Sequence, residues 1–165
     1  MVFVTVGNAT QGFRRLLDAV EKLAAEGAFA SETVFIQSGR NPEFRTAHCV
    51  QEAFLPSDRF AEVMAKADLV ICHAGAGTLF NALQLGKVPV VMPRRAKYGE
   101  LVDDHQLGLV RALALDRRII PAYEPPDLPA AIALGRELRL PPSTTLPSRM
   151  LSLVTEAVKE IMERS

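Results

Sequence analysis

Short apolar runs rich in β-branched residues alternate along this chain with longer stretches whose apolar positions recur at helical spacing. Val2-Phe-Val-Thr-Val6 is the first run; bounded by Gly7, it predicts a strand buried on both faces. The polar turn Gly7-Asn-Ala-Thr-Gln-Gly12 follows. Phe13 to Glu26 then carries Leu16, Leu17, Val20, Leu23 and Ala24 on one helical stripe, with Gly27 as a stop. Thr33 to Gln37 predicts a second strand and His48 to Phe54 a third. Ser57 is placed to N-cap a helix with Phe60, Val63, Met64 and Ala67 on one face, and Leu69 to Cys72 is the next strand. Gly75 to Thr78 opens a helix that runs to about Leu85 and ends at Gly86. Val88 to Met92 is a strand closed by Pro93. A polar loop from Arg94 to Glu100 leads to a helix over Asp103 to Leu113, and Ile119-Ile120 predicts a last strand.

This alternation argues for an α/β chain with a Rossmann-like, doubly wound parallel sheet and helices on both faces. Residues 1–165 read as a single domain. From about Pro121 the character changes, because Pro121, Pro125, Pro126, Pro129, Pro141, Pro142 and Pro147 break the chain into short helices and stiff turns. A final amphipathic helix, from about Pro147 to Arg164, carries Leu151, Val154, Val158 and Ile161 in one stripe, read first as a core-packing face.

Composition narrows the function classes. Hydrophobic residues are 48% and charged residues 23%, a globular balance. Lys+Arg and Asp+Glu are both 19, so no net field points to nucleic acid or an anionic membrane, and any anion site must be local. Cys49 and Cys72 lack metal-ligand spacing and read as buried thiols in a reducing cytosol. The opening residues lack the charged region of a signal peptide, and no apolar run approaches the roughly 20 residues that span a bilayer.

In an open α/β sheet, ligands sit beyond the carboxyl ends of the strands. Three loops fall there. Gly7, Asn8, Thr10, Gln11 and Gly12 form a small-residue turn whose main-chain amides can approach an anion, though such turns also use glycine for steric reasons alone. Cys72-His-Ala-Gly-Ala-Gly-Thr78 runs a strand into four small residues and a helix start, so several unpaired amides converge. There Thr78 is a helix cap or a phosphate donor, and His73 is a diphosphate neighbour or a locally bonded strand end. In the third loop Asp103 and Asp104 suit an N-cap and first-turn dipole partner, and His105 and Gln106 project from the same turn as candidate contacts to sugar hydroxyls. No Ser/His/Asp set or activated Cys is apparent, and no Asp-x-Asp is present to hold a metal-bound nucleotide diphosphate.

Three segments carry a resemblance: Phe3-Val-Thr-Val-Gly7, Ala67-Asp-Leu-Val-Ile-Cys-His-Ala-Gly-Ala-Gly-Thr78 and Pro93-Arg-Arg-Ala-Lys-Tyr-Gly-Glu-Leu-Val-Asp-Asp-His-Gln-Leu107. Over roughly residues 2–115 the chain resembles the C-terminal, donor-binding domain of family-28 glycosyltransferases, one half of a GT-B glycosyltransferase. It is most like the free-standing versions, such as exopolysaccharide PssE-type subunits and the small subunit of the dolichol-linked GlcNAc transferase. The resemblance implies a UDP-sugar substrate, no cofactor and no metal. It puts Thr10, Gln11, Gly12, Gly75, Ala76, Gly77 and Thr78 at the donor phosphates, Phe54 and Leu55 at the uracil, and His105 and Gln106, beside Asp104, at the transferred sugar. Asn81 stands where the family usually has a Glu on the ribose, and Ala9 and Arg14 replace a His and an Asp of the bacterial first loop.

A GT-B half with no room for an acceptor site implies a partner: a membrane-associated, acceptor-binding subunit that supplies the general base and holds this cytoplasmic chain at the membrane. Isolated, with that surface bare, the chain is a candidate homodimer. The rival reading is a non-catalytic nucleotide-sugar-binding or regulatory subunit, favoured by Asn81 and Ala9. A dinucleotide-dependent oxidoreductase ranks last, because no Gly-x-Gly-x-x-Gly follows the first strand.

Overall fold

A computed structural model of the protein describes residues 1–138 and Ser152. Its strands are β1 (Val2–Thr5), β2 (Val34–Gln37), β3 (Val50–Glu52), β4 (Leu69–His73), β5 (Val90–Met92) and β6 (Ile120–Pro121). Its helices are α1 (Arg14–Ala25), α2 (Ser57–Lys66), α3 (Ala76–Gln84), α4 (His105–Leu115) and α5 (Leu128–Glu137). The strands form one sheet in the order β3-β2-β1-β4-β5-β6, and every adjacent pair is parallel.

Strand periodicity sorts the core into two layers. Val2, Val4, Ile36, Leu69, Ile71, Val90 and Met92 point to one face, where Leu16, Leu17 and Val20 of α1 and Leu128, Ala131 and Ile132 of α5 cover them. Phe3, Phe35, Val70, Cys72 and Val91 point to the other, under α2, α3 and α4. With both faces covered, the central strands are apolar except at their carboxyl-terminal residues Thr5, Gln37 and His73, which is why their sequences run rather than alternate. The winding order reverses between β1 and β4. The loops leaving these two strands therefore diverge and open a crevice at their carboxyl ends.

Some expected boundaries move. The third strand is only Val50–Glu52, because residues 46–49 are held in a turn by Glu21 of α1. That carboxylate accepts hydrogen bonds from the Thr46 hydroxyl, from the Ala47 main-chain N–H (3.0 Å) and from His48 Nδ1 (2.8 Å). Ser57 does not cap α2: Pro56 occupies that position in extended conformation and Ser57 is the first helical residue. Of the two expected buried thiols, Cys72 is buried while Cys49 is only partly so.

The proline-rich region does not begin as a separate tail. Pro121 lies in β6, Pro125 and Pro126 form a 3-10 turn, and Pro129 sits in the first turn of α5, where its missing N–H costs no helical bond. Apart from Ser152, the helix expected from Pro147 to Arg164 lies outside the described residues.

Leu17 is fully buried between α1 and the sheet. Leu17→Ala is expected to lower unfolding free energy by about 2–5 kcal/mol, read from the urea midpoint at unchanged m-value.

Candidate functional site

The crevice between β1 and β4 is a cleft of about 500 Å³. Gly7 and Asn8 line one side, and Gly75, Gly77, Thr78 and Asn81 the other. His73 and Gln37 form the floor, and Leu55, Ser57, Phe60 and Ala61 the outer wall. Its size suits a small-molecule site. Among the described residues, the lining holds no lysine, arginine or carboxylate.

Two glycines make room for the floor. Gly7 turns the chain out of β1 at φ +69°, and a Cβ there would lie 2.5 Å from Cε1 of His73. A Cβ on Gly75 would collide with the Nε2 edge of the same ring. The imidazole is thus clasped between the two loops, 8% exposed. Burial, and then the nearby Arg94 guanidinium, push its pKa down to about 4. The Thr5 main chain opposes this weakly, and Nδ1 has no hydrogen bond of normal geometry. His73 is therefore neutral at physiological pH.

Gly75 is the N-cap of α3 in extended conformation, with no side-chain cap and no acid in the first turn. Leu79 N–H reaches the Gly75 carbonyl at 3.0 Å, which leaves the Ala76, Gly77 and Thr78 amides without intrahelical acceptors. Thr78 lies inside this first turn and lines the cleft, so it is not the cap. The positive pole of the α3 dipole faces the cleft uncompensated.

Behind the first loop lies Arg94, 1% exposed and stacked over Phe13 at 4.8 Å. Its Nη1 donates to the carbonyls of Gln11 (2.9 Å), Gly12 (3.1 Å) and Glu100 (3.1 Å), and Nη2 donates to Val6 (2.8 Å). Burial lowers its pKa to about 10, with Glu100 opposing, so it stays charged. Glu100 in turn pairs with Arg15 through both oxygens, each at 2.9 Å. Phe13 N–H donates to Asn41 at 2.8 Å and completes the anchoring of the turn.

The residue pattern of most of the chain shows the family. The model for the glycosyltransferase family 28 C-terminal domain matches residues 1–134. The chain belongs to this family. The UDP-N-acetylglucosamine transferase subunit ALG13 of Yarrowia lipolytica is 31% identical over 129 residues, 73% of this chain and 63% of the relative. The subunit of the same name from Homo sapiens is 35% identical over 122 residues, 68% of this chain and 10% of that protein. The chain thus spans less than two thirds of either relative.

Among solved structures, the glycotransferase of kitacinnamycin aligns with TM-score 0.62 at 16% identity, over 99% of this chain and 42% of that one. Acinetobacter baumannii MurG aligns with TM-score 0.57 at 20% identity, over 94% and 49%. These likenesses establish the fold: a Rossmann-like half of the GT-B architecture.

Against the family's expected positions, the structure gathers Gly7, Asn8, Leu55, His73, Gly75, Gly77, Thr78 and Asn81 around one cleft, with Ala76 in the first turn of α3 beside it. Others lie elsewhere. Gln11 and Gly12 turn their carbonyls onto Arg94, the Thr10 hydroxyl bonds Gln11 Oε1 (3.1 Å), and Phe54 is half-exposed outside the lining. Asp104, His105 and Gln106 do not line the cleft either. Gln106 is buried, its Oε1 accepting Arg94 N–H at 3.0 Å, and His105 is held by the Asp103 carboxylate. Asp104 occupies the α4 N-cap position, but its carboxylate accepts Ala96 N–H (2.8 Å) and makes no cap bond. Gln37, Ser57, Phe60, Ala61 and Arg94 were not foreseen. A lone Gln closing the apolar run of β2 and an Arg directly after the β5 Pro were the available signals.

Arg94→Met would leave four carbonyls short of a donor and is expected to cost about 3–5 kcal/mol of stability by denaturant titration, with collapse of the first loop. The unfolded chain takes up a proton at His73 as pH falls through about 6.5, whereas the native ring resists until about 4. Stability contributed by the neutral ring is therefore lost between those values. Burial pushes the Glu21 carboxyl up, but bonds from Thr46, His48 and the Ala47 N–H outweigh this and hold it at about 2, placing its loss lower, from about 4.5 to 2. His73→Asn should flatten the upper limb of the stability–pH curve and leave the lower limb in place.

Proposed function

We propose that this chain is the donor-binding subunit of a split, inverting, metal-independent glycosyltransferase. It takes a UDP-sugar as substrate and glycosylates a lipid-linked acceptor in polysaccharide or glycan synthesis. The observation that carries this reading is the convergence of the α3 amino terminus, the Gly7–Asn8 turn and neutral His73 on one cleft with an apolar outer wall. Amides and a helix pole suit a diphosphate, and Leu55 and Phe60 suit a flat base. Asn81, one turn along α3 from Thr78, is the candidate for the ribose hydroxyls.

The acceptor hydroxyl attacks the anomeric carbon, the bond to the UDP oxygen breaks, and the acceptor proton passes to a base. Amides at the α3 amino terminus stabilise the charge that develops on the departing diphosphate. Among the described residues, no carboxylate lines the cleft to seat a divalent ion, and none is placed there as a base. Base and acceptor site are assigned to a partner subunit at the cytoplasmic face of a membrane. This fits the relatives' designation as transferase subunits. Among the described residues, no helix is long and apolar enough to cross a membrane.

A second reading, a nucleotide-sugar-binding subunit without catalysis, is favoured by one observation: the expected sugar contacts His105 and Gln106 are engaged elsewhere.

Calorimetric titration with UDP, UDP-GlcNAc, UDP-glucose and UDP-glucuronate is expected to show one-to-one binding without added metal and preference for one sugar. Transfer should appear only on adding the partner. Transfer at full rate by the chain alone, or no affinity for any uridine nucleotide, would refute the proposal; binding with no transfer in any complex would select the second reading.

A further inference from the structure

Beneath the Gly7–Asn8 turn runs a short chain of hydrogen bonds. Gly7 N–H donates to the Thr5 hydroxyl at 3.1 Å, and that hydroxyl donates to Gln37 Oε1 at 2.6 Å. Gln37 Nε2 then donates to Asn8 Oδ1 at 3.0 Å. Thr5 and Gln37 are buried, 0% and 2% exposed, whereas Asn8 is exposed and lines the cleft.

The direction of this chain is not arbitrary. A main-chain amide only donates, so the Thr5 oxygen accepts from Gly7, and the one hydroxyl hydrogen needs an acceptor inside the sheet. Gln37 Oε1 is that acceptor. Reversing the Gln37 amide would strand the buried hydroxyl hydrogen, which is costly. With Oε1 committed to Thr5, Nε2 must donate to Asn8 and takes its oxygen. What remains of the Asn8 amide is Nδ2, with two hydrogens and no protein acceptor among the described residues.

We propose that Thr5 and Gln37 are positioning residues that polarise the turn, so that Asn8 presents an N–H donor, and never its carbonyl, to the diphosphate of the bound ligand. This deepens the donor-binding reading and rests on it. The polarity selects anionic oxygens without placing a cation in the cleft, and it explains a glutamine and a threonine in otherwise apolar strands.

Gln37→Glu is the decisive variant, because its shape is conserved and its nitrogen is replaced by an acceptor. At a pH above the pKa of the introduced carboxyl, where the affinities are compared, it accepts from both Thr5 and Asn8 and turns the Asn8 carbonyl towards the ligand. UDP affinity is expected to fall tenfold or more by calorimetry. An added negative charge alone would weaken binding too, so the same change is made in an Asn8→Ala background. There, Gln37→Glu should have less than a threefold effect. In the wild type, titration with UDP or inorganic pyrophosphate should shift the Asn8 side-chain amide signals in 15N spectra.

Should Gln37→Glu fail to fold, neutral Gln37→Met, which frees Asn8 to turn, is expected to lose severalfold in UDP affinity while uridine binding stays unchanged. A wild type that binds UDP while Gln37→Glu binds equally well, or an undiminished penalty in the Asn8→Ala background, overturns the relay alone. A wild type that binds neither UDP nor pyrophosphate overturns the donor-binding reading, and the relay with it.

Discussion

A single buried guanidinium organises the ligand-facing end of this protein. Arg94 follows β5, yet three of its four carbonyl partners, those of Val6, Gln11 and Gly12, belong to the loop after β1. Strands β1 and β5 are not neighbours; β4 lies between them. The arginine therefore spans a strand and fixes the first loop from behind, leaving the front of the loop free for a ligand. A planar fork with several donors can satisfy diverging carbonyls in a way a lysine cannot. The cost of burying that charge is offset by the carbonyl dipoles, the Phe13 ring and nearby Glu100.

From this anchor the remaining geometry follows in layers. The loop held by Arg94 sets Gly7, and Gly7 and Gly75 together leave a slot one imidazole thick. His73 fills it and joins the two loops into one surface. The ring's low basicity is a consequence of that enclosure and of the arginine behind it. The site thus carries its positive charge below its surface and presents neutral donors at the surface itself. Arg15 and Glu100 extend the same network to α1, so that helix, loop and sheet are fixed with respect to one another.

Much of the fold was legible because parallel strands covered on both faces leave uninterrupted apolar runs. β1, β2 and β4 were placed to within a residue or two for that reason. Where a local interaction outranked pattern, the reading failed: Glu21 draws residues 46–49 into a turn that periodicity takes for strand, and Pro56 displaces Ser57 from the cap. The site was legible where glycine and small residues crowd together, as at Gly75–Thr78. It was not legible where a residue's part depends on partners far along the chain. Arg94 in isolation looks like one more solvated charge of a polar loop, and nothing in the residues around Gln106 shows that its Oε1 holds the Arg94 amide.

The neutral lining of the cleft has a consequence for how ligand arrives and stays. With a formal net charge of zero and no lysine or arginine among the described residues lining the cleft, the protein would exert little long-range pull on a nucleotide, and encounter would proceed by ordinary diffusion. Once seated, a diphosphate would lie against fixed amide dipoles and above a charge that solvent ions cannot reach. Such contacts are screened far less by dissolved salt than exposed ion pairs are. A cleft of this kind trades speed of capture for insensitivity to the ionic composition around it.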